Sequence, residues 1–317
     1  MENFDAKKIA RKLRWGTAAA QIAVGLCCIA IMVSTFFAKE VAPGRVIVAL
    51  LLYYLLNTVI VLRANKRLHS ALYQDLMPQR LLDILREGKI FSRNGTVELH
   101  AKTAAGDWQG VADICAQKLR DPAYRTKKHV YMAFLADLYF NLADEEQLRT
   151  ICDAFDAYAA VSKADIIMRN MREPMACYRD YLNGEYERCY AFCEKKKQLM
   201  EKTRPHPYIA MIHDFEHAVI CYRTGRTDQA RALFAHVAAD GPQLALATLS
   251  QAYLAAIESG EPLAVPFARI VPSGEKVLRS EPRWLRVLRR VKKICLIVAI
   301  SVWVVAIILL LIAEILS

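Results

Sequence analysis

The chain has 317 residues, 55% of them hydrophobic and 24% charged, and it contains only 12 glycines and 11 prolines. This composition, without any low-complexity tract, argues against disorder and against a many-stranded all-β fold, and it favours a helical protein. The net charge of +11 does not indicate a nucleic-acid partner, because residues 70–270 hold 25 Lys and Arg against 26 Asp and Glu, and the positive excess lies in the flanks.

Two uncharged apolar runs follow a basic N-terminal segment at residues 1–15. The runs cover 16–38 and 46–62, which are 23 and 17 residues long. A helix rises 1.5 Å per residue, so about 20 apolar residues cross the hydrocarbon layer of a membrane. The sequence therefore predicts transmembrane helices at both places. A buried core helix for either run, and a cleaved signal peptide for the first, remain as alternatives.

Residues 63–95 are predicted to form a juxtamembrane linker with a capping helix near 81–86. The next segment shows a repeat. Gly225 is followed by Ala230 five residues later, by Phe234 nine residues later and by Pro242 near the end of the unit. Partial copies of this pattern begin at further turns: they include Gly106 with Trp108, Gly184 with Tyr186, and the turns near 143 and 260.

This pattern resembles the tetratricopeptide (TPR) repeat, a helix-turn-helix unit with Gly at the turn, then Ala, an aromatic residue and Pro. The resemblance covers residues 96–262. It implies an all-α fold, a TPR-like α-solenoid of helix hairpins with a concave groove for protein partners. Together with the two apolar runs above and a third at 294–313, this gives an all-α protein with a solenoid and three transmembrane helices.

Apolar residues within the repeat recur three or four positions apart, which is typical of amphipathic helices. Polar residues interrupt these stripes at single positions. The two clearest stripes consist of Val130, Phe134, Asp137 and Leu138, and of Ile209, Ile212, Glu216 and Val219. A single helix pair cannot bury such a stripe, so we expect neighbouring pairs to stack.

One segment, His213 to His217, fits the H-x-x-E-H motif of a class of zinc peptidases. Histidines four residues apart share a helical face, where they could bind zinc with Glu216 as general base. Cys189 and Cys193, on the preceding helix, could complete a structural zinc site with the two histidines. The alternative, which we favour, is that all four side chains pack in the repeat core. We expect no catalytic residues, no metal and no cofactor.

The C-terminal part consists of a linker with a basic juxtamembrane segment at 263–293 and a third uncharged run at 294–313. That run is predicted as a transmembrane helix. The basic segment could lie on anionic lipid or act as a stop-transfer flank. Its predicted membrane-interface residues are Arg283, Trp284, Arg286, Arg289, Arg290, Lys292 and Lys293.

Positive charges are fewer between the first two apolar runs, where only Lys39 and Arg45 occur, than in the segments before the first run, after the second and ahead of the third. The positive-inside rule therefore places the N-terminus and repeat domain in the cytoplasm and the C-terminus outside. The expected localisation is a bacterial cell membrane, with membrane lipids and unidentified proteins as partners. The expected function is a membrane-tethered adaptor or scaffold. A structural subunit of a membrane complex is the alternative, and an H-x-x-E-H metallopeptidase is a minor one.

Overall fold

A computed structural model describes residues 6–37, 43–88, 96–162 and 166–273. These residues form helices and connections without a β-strand, so the prediction of an all-α fold is confirmed. The chain divides into two compact units, Met1–Val277 and Leu278–Ser317, and every described residue belongs to the first. The helices are α1 (Ala6–Phe37), α2 (Pro43–Tyr73), α3 (Pro78–Gly88), α4 (Thr96–Ala105), α5 (Trp108–Arg120), α6 (Lys128–Asn141), α7 (Glu145–Val161), α8 (Ile166–Leu182), α9 (Tyr186–Thr203), α10 (Pro207–Arg223), α11 (Thr227–Asp240) and α12 (Ala245–Ser259).

Leu76 after α2 and Arg204 after α9 have positive φ, and so do five residues at the helix ends where the sequence predicts turns. Four of these residues join α4 to α5, α6 to α7, α8 to α9 and α10 to α11, and the fifth follows α12. They are Gly106, Ala143, Gly184, Gly225 and Gly260. Glycine suits four of these places because it adopts positive φ without a clash at Cβ.

The first four turns share one hydrogen bond, in which the amide after the positive-φ residue donates to the carbonyl five residues earlier. This bond is typical of the Schellman motif that ends helices. The donor and acceptor pairs are Asp107 and Lys102 at 2.9 Å, Asp144 and Tyr139 at 2.9 Å, Glu185 and Asp180 at 2.8 Å, and Arg226 and Cys221 at 2.9 Å. The same local geometry thus recurs four times along the chain.

Consecutive helices pack against each other, and the buried side chains form one core that runs from α1 to α12. Large aromatic residues fill it: Phe234 stacks on Tyr253 with ring centroids 4.5 Å apart, and Phe215 meets Phe234 edge to face at 5.8 Å. Early and late helices also touch, since α4 contacts α12 and α2 contacts α10. The Tyr208 hydroxyl of α10 donates to the His100 carbonyl of α4 at 3.4 Å.

The structure corrects the prediction of the first two membrane spans. Within the described ranges, no helix combines the length and the apolar character needed to cross a membrane. The predicted transmembrane helices at 16–38 and 46–62, and the predicted multi-pass membrane localisation, are therefore wrong. The third predicted span at 294–313 and the basic interface residues 283–293 lie outside the described residues.

The physical reason is that the two uncharged runs are parts of longer helices. Helix α1 begins with a basic segment and places Ala10 in the common core. Helix α2 continues beyond its apolar run and buries Leu68, Ala71 and Leu72 in the same core. An uncharged run gives the hydropathy of a segment, whereas the structure shows which parts of the helix pack against the rest of the protein.

Candidate functional site

A cavity of about 400 Å³ opens between α4, α6 and α8. Helix α6 provides most of its wall, because residues one turn apart on this helix face the same side. Its lining residues are Thr96, His100, Lys127, His129, Val130, Tyr131, Ala133, Phe134, Asp137, Ile167 and Met171. We refer to it below as the α6 cavity.

Asp137 is the only carboxylic acid among these lining residues. The Tyr178 hydroxyl of α8 donates a hydrogen bond of 2.8 Å to its Oδ1 atom. Burial raises the pKa of Asp137 to about 7, and the negative charge of Glu216 adds to the increase. The Tyr178 hydrogen bond and the charge of Lys196 lower the pKa, but they do not offset the loss of hydration.

A second carboxylate, Glu216 of α10, lies near Asp137 but has its own cation. The Lys196 ammonium of α9 donates to Glu216 Oε2 at 2.8 Å. Burial alone lowers the pKa of Lys196, but the attraction and hydrogen bond of Glu216 outweigh it, so that the pKa of Lys196 is raised. Lys196 therefore stays charged and pairs with Glu216. The hydrogen-bonding partner of Asp137, in contrast, is the neutral phenol of Tyr178.

Aromatic rings form one side of the α6 cavity. The His100 ring lies edge to face against Phe134, with centroids 4.8 Å apart, and Tyr73 of α2 contacts the other side of His100 at 6.0 Å. Burial lowers the pKa of His100 to about 4, and the charge of His69 adds to this. At neutral pH, His100 is therefore an uncharged wall of the cavity.

The rim of the cavity carries apolar and basic groups in separate places. Ile167 of α8 is 46% exposed and its neighbour Ile166 is 74% exposed, so two large apolar side chains face solvent beside the opening. Lys127, which precedes α6, lies ten residues from Asp137, or about 15 Å at 1.5 Å per residue. The backbone positions of the basic residue Lys127 and the acidic residue Asp137 are thus well separated along α6.

In the structure, polar atoms of three of the four candidate metal ligands lie close to groups other than one another. His213 Nε2 lies 3.1 Å from the backbone carbonyl oxygen of Cys193, and His217 Nε2 lies 3.3 Å from Glu194 Oε1. The Cys189 thiol donates to the Cys177 carbonyl at 3.2 Å. Across the described part of the chain, no group of three or more His, Cys, Asp or Glu side chains is arranged to hold a metal ion.

The H-x-x-E-H residues likewise have other contacts. The His213 and His217 rings are 5.8 Å apart between centroids and are both buried. Glu216, the candidate general base, points to Lys196 on α9. A catalytic zinc site needs both imidazoles and an open coordination position around one point. Here the imidazoles and the carboxylate each face a different group on the neighbouring helix.

The repeat-defining residues mark helix ends and the core. Gly106, Gly184 and Gly225 lie at the turns. Trp108, Ala230 and Phe234 are buried, Tyr186 is half-buried against the Tyr181 ring at 5.6 Å, and Pro242 is exposed in the turn after α11.

A segment after α12 packs against the helices, although the sequence predicts only a linker there. Residues 263–273 have no regular secondary structure, yet they pack along α5 and the α6–α7 turn. Phe267 contacts Trp108 edge to face at 5.7 Å, and Arg269 pairs with Asp144 at 3.3 Å and with Glu146 at 2.6 Å. The Gln109 amide donates to the Val271 carbonyl at 2.9 Å. A second cavity, of about 410 Å³, lies between this segment and the α6–α7 turn.

Sequence analysis also missed Asp137 as a site residue, although a signal was present. Asp137 interrupts the apolar stripe of α6 as Glu216 interrupts that of α10. A carboxylate in a buried stripe needs a partner or a raised pKa. The pattern therefore indicates an unusual environment but does not say which helix supplies the partner.

Comparisons of the chain with protein-family models, curated proteins and solved structures give no match.

Proposed function

We propose that the chain is a protein-binding module without enzymatic activity, in which TPR-like helix hairpins form a solenoid that acts as an adaptor or scaffold. The four turns with the same hydrogen bond support the repeat, because they indicate equivalent hairpins at intervals of 37 to 41 residues. Packing between consecutive helices is what a stacked array requires.

The pKa values of the thiols argue against one class of enzyme, those with a cysteine nucleophile. Burial raises the pKa of Cys152 and of Cys221 to about 11, and it raises the pKa values of Cys115 and Cys193 further. A cysteine nucleophile acts as the thiolate and needs the opposite shift. These cysteines therefore behave as small apolar core residues.

The observation that carries the proposal is the α6 cavity, whose walls are apolar and aromatic, with one carboxyl inside and two exposed isoleucines beside the opening. Exposed apolar groups around a concave site are typical of surfaces that receive a partner. A side chain of the partner would enter the cavity, and the isoleucines would cover the neighbouring backbone.

Photocrosslinking in cells tests the proposal. A benzoylphenylalanine at position 167 should capture a defined partner, whereas the same group at Leu199, which is 60% exposed on α9, should not. An added Ala133→Trp substitution, which fills the cavity, should abolish capture from position 167 while thermal unfolding stays cooperative. Capture that persists in the filled variant, or that is equal at the two positions, would contradict the proposal.

A further inference from the structure

We propose that the α6 cavity takes a lysine or arginine side chain of the partner, with its cationic group bound to the Asp137 carboxylate. This assignment rests on the proposed protein-binding function and adds the chemistry of the residue that is recognised. It excludes an anionic or neutral side chain as the preferred occupant of the cavity.

The Asp137 carboxyl in the cavity wall is the first observation behind the assignment. Its Oδ1 atom accepts a hydrogen bond from Tyr178, which is a neutral phenol. Asp137 lines the cavity, so that its carboxyl is within reach of a donor that enters it. A charged N–H donor makes the strongest hydrogen bond with a carboxylate.

The walls provide the second observation, because they suit the rest of a long cationic side chain. Lysine and arginine carry an apolar stem that packs against apolar groups while the charged head reaches a polar site. Val130, Ala133 and Met171 line the path for such a stem. The Phe134 ring also lines the cavity, and aromatic rings attract cations. A volume of about 400 Å³ lies near the lower end of the range of about 300–1,000 Å³ for ligand pockets, which suits one side chain.

The charges around Asp137 are the third observation. Helices α4, α5, α8, α9 and α10 all bring titratable groups near it. These groups are His100, Cys115, Tyr178, Lys196, Tyr208 and Glu216. Lys196, whose charge acts on Asp137, is bound to Glu216, and Lys127 and His129 also line the cavity. An entering ammonium or guanidinium would give Asp137 a cation of its own and would favour its ionised form.

Lys127 also lines the cavity and argues for the opposite occupant, an anionic side chain. Its backbone lies about 15 Å from that of Asp137 along α6. The two assignments therefore differ in the sign of the charge that the cavity prefers. Three small probes with the same five-carbon chain test this directly: n-pentylammonium, 1-pentanol and pentanoate.

Isothermal titration of the full-length chain with each probe is the experiment. We expect n-pentylammonium to bind more than tenfold more tightly at pH 8 than either other probe. Because the Asp137 carboxyl has a pKa of about 7, its ionised fraction falls from about nine-tenths at pH 8 to about one-tenth at pH 6. Affinity for the ammonium should fall about tenfold over this range. At pH 7, titrations in buffers of different ionisation enthalpy should show about half a proton released per probe bound.

The Asp137→Asn variant should lose at least tenfold in affinity for n-pentylammonium and should lose the pH dependence. Its control is Asp153→Asn, which removes an exposed carboxylate on α7 and should bind like the parent chain. Unchanged ammonium affinity in Asp137→Asn, or a preference for pentanoate, would overturn the assignment. Crosslinking from position 167 would still succeed in that case, so that failure of the cation assignment and failure of the protein-binding function are distinguishable.

Discussion

Asp137 should make the stability of the protein depend on pH in a direction unusual for an aspartate. The pKa of Asp137 is raised to about 7 in the folded protein from an ordinary value of 3.8, so the folded state holds its proton more tightly than the unfolded state. Its contribution to stability is complete below pH 4 and is lost as the pH rises through 7. The rise of the pKa from 3.8 to about 7 corresponds to about 4 kcal/mol, which is an upper limit because a relaxing chain hydrates the ionised group.

The Asp137→Asn substitution removes this loss, since the amide cannot ionise and its oxygen still accepts the Tyr178 hydrogen bond. Urea unfolding at several pH values measures the effect. Relative to the parent chain, the variant should gain stability steadily from pH 4 to pH 8, by as much as about 4 kcal/mol. Asp153→Asn should give a difference that stays flat over the same range. A variant that is less stable than the parent at pH 8, or whose difference does not change with pH, would refute the reasoning.

Four further predictions concern the core, the turns and the segment after α12. Phe234→Ala leaves a cavity between aromatic rings and should lower the free energy of unfolding by about 3–5 kcal/mol in urea titrations. Gly184→Ala places a Cβ at φ +76° and should cost about 1–2 kcal/mol, whereas Gly25→Ala within α1 should be neutral or stabilising by up to about 1 kcal/mol. Phe267→Ala removes the contact with Trp108 and should speed proteolytic cleavage within 263–273 several-fold. Arg269→Ala should speed it much less, because an exposed ion pair contributes about 0–1 kcal/mol.

The helix ends could be predicted because their causes are local. Gly106, Gly184, Gly225 and Gly260 mark left-handed residues by their lack of a side chain, and all four have positive φ. Ala143 has positive φ without that advantage, and its turn is recognisable from the spacing and from Asp144, whose side chain caps α7. Local sequence thus determined where helices stop.

The α6 cavity could not be predicted, since its parts lie far apart in the chain. His100, Asp137 and Tyr178 belong to three helices that packing brings together. Tertiary packing likewise places parts of the N-terminal helices in the core, which the sequence did not predict. Their apolar runs fit a membrane by length, but α1 and α2 extend beyond these runs and bury Ala10 and Leu72 in the core of the helical domain.

Glu216 and Asp137 both interrupt apolar stripes, but the fold gives the two carboxylates different partners. Glu216 is close to Lys196 because α9 and α10 pack side by side, and the hydrogen bond with Glu216 favours the charged form of Lys196. Asp137 faces the same region, but a single lysine cannot neutralise two carboxylates, and Tyr178 supplies only a neutral hydrogen bond. Without a ligand, Asp137 therefore keeps its proton up to about neutral pH, and its pKa is accordingly about 7. A carboxyl that begins to lose its proton near neutral pH can exchange it there for a cation from another molecule, and this property links the stability of the fold to what enters the cavity.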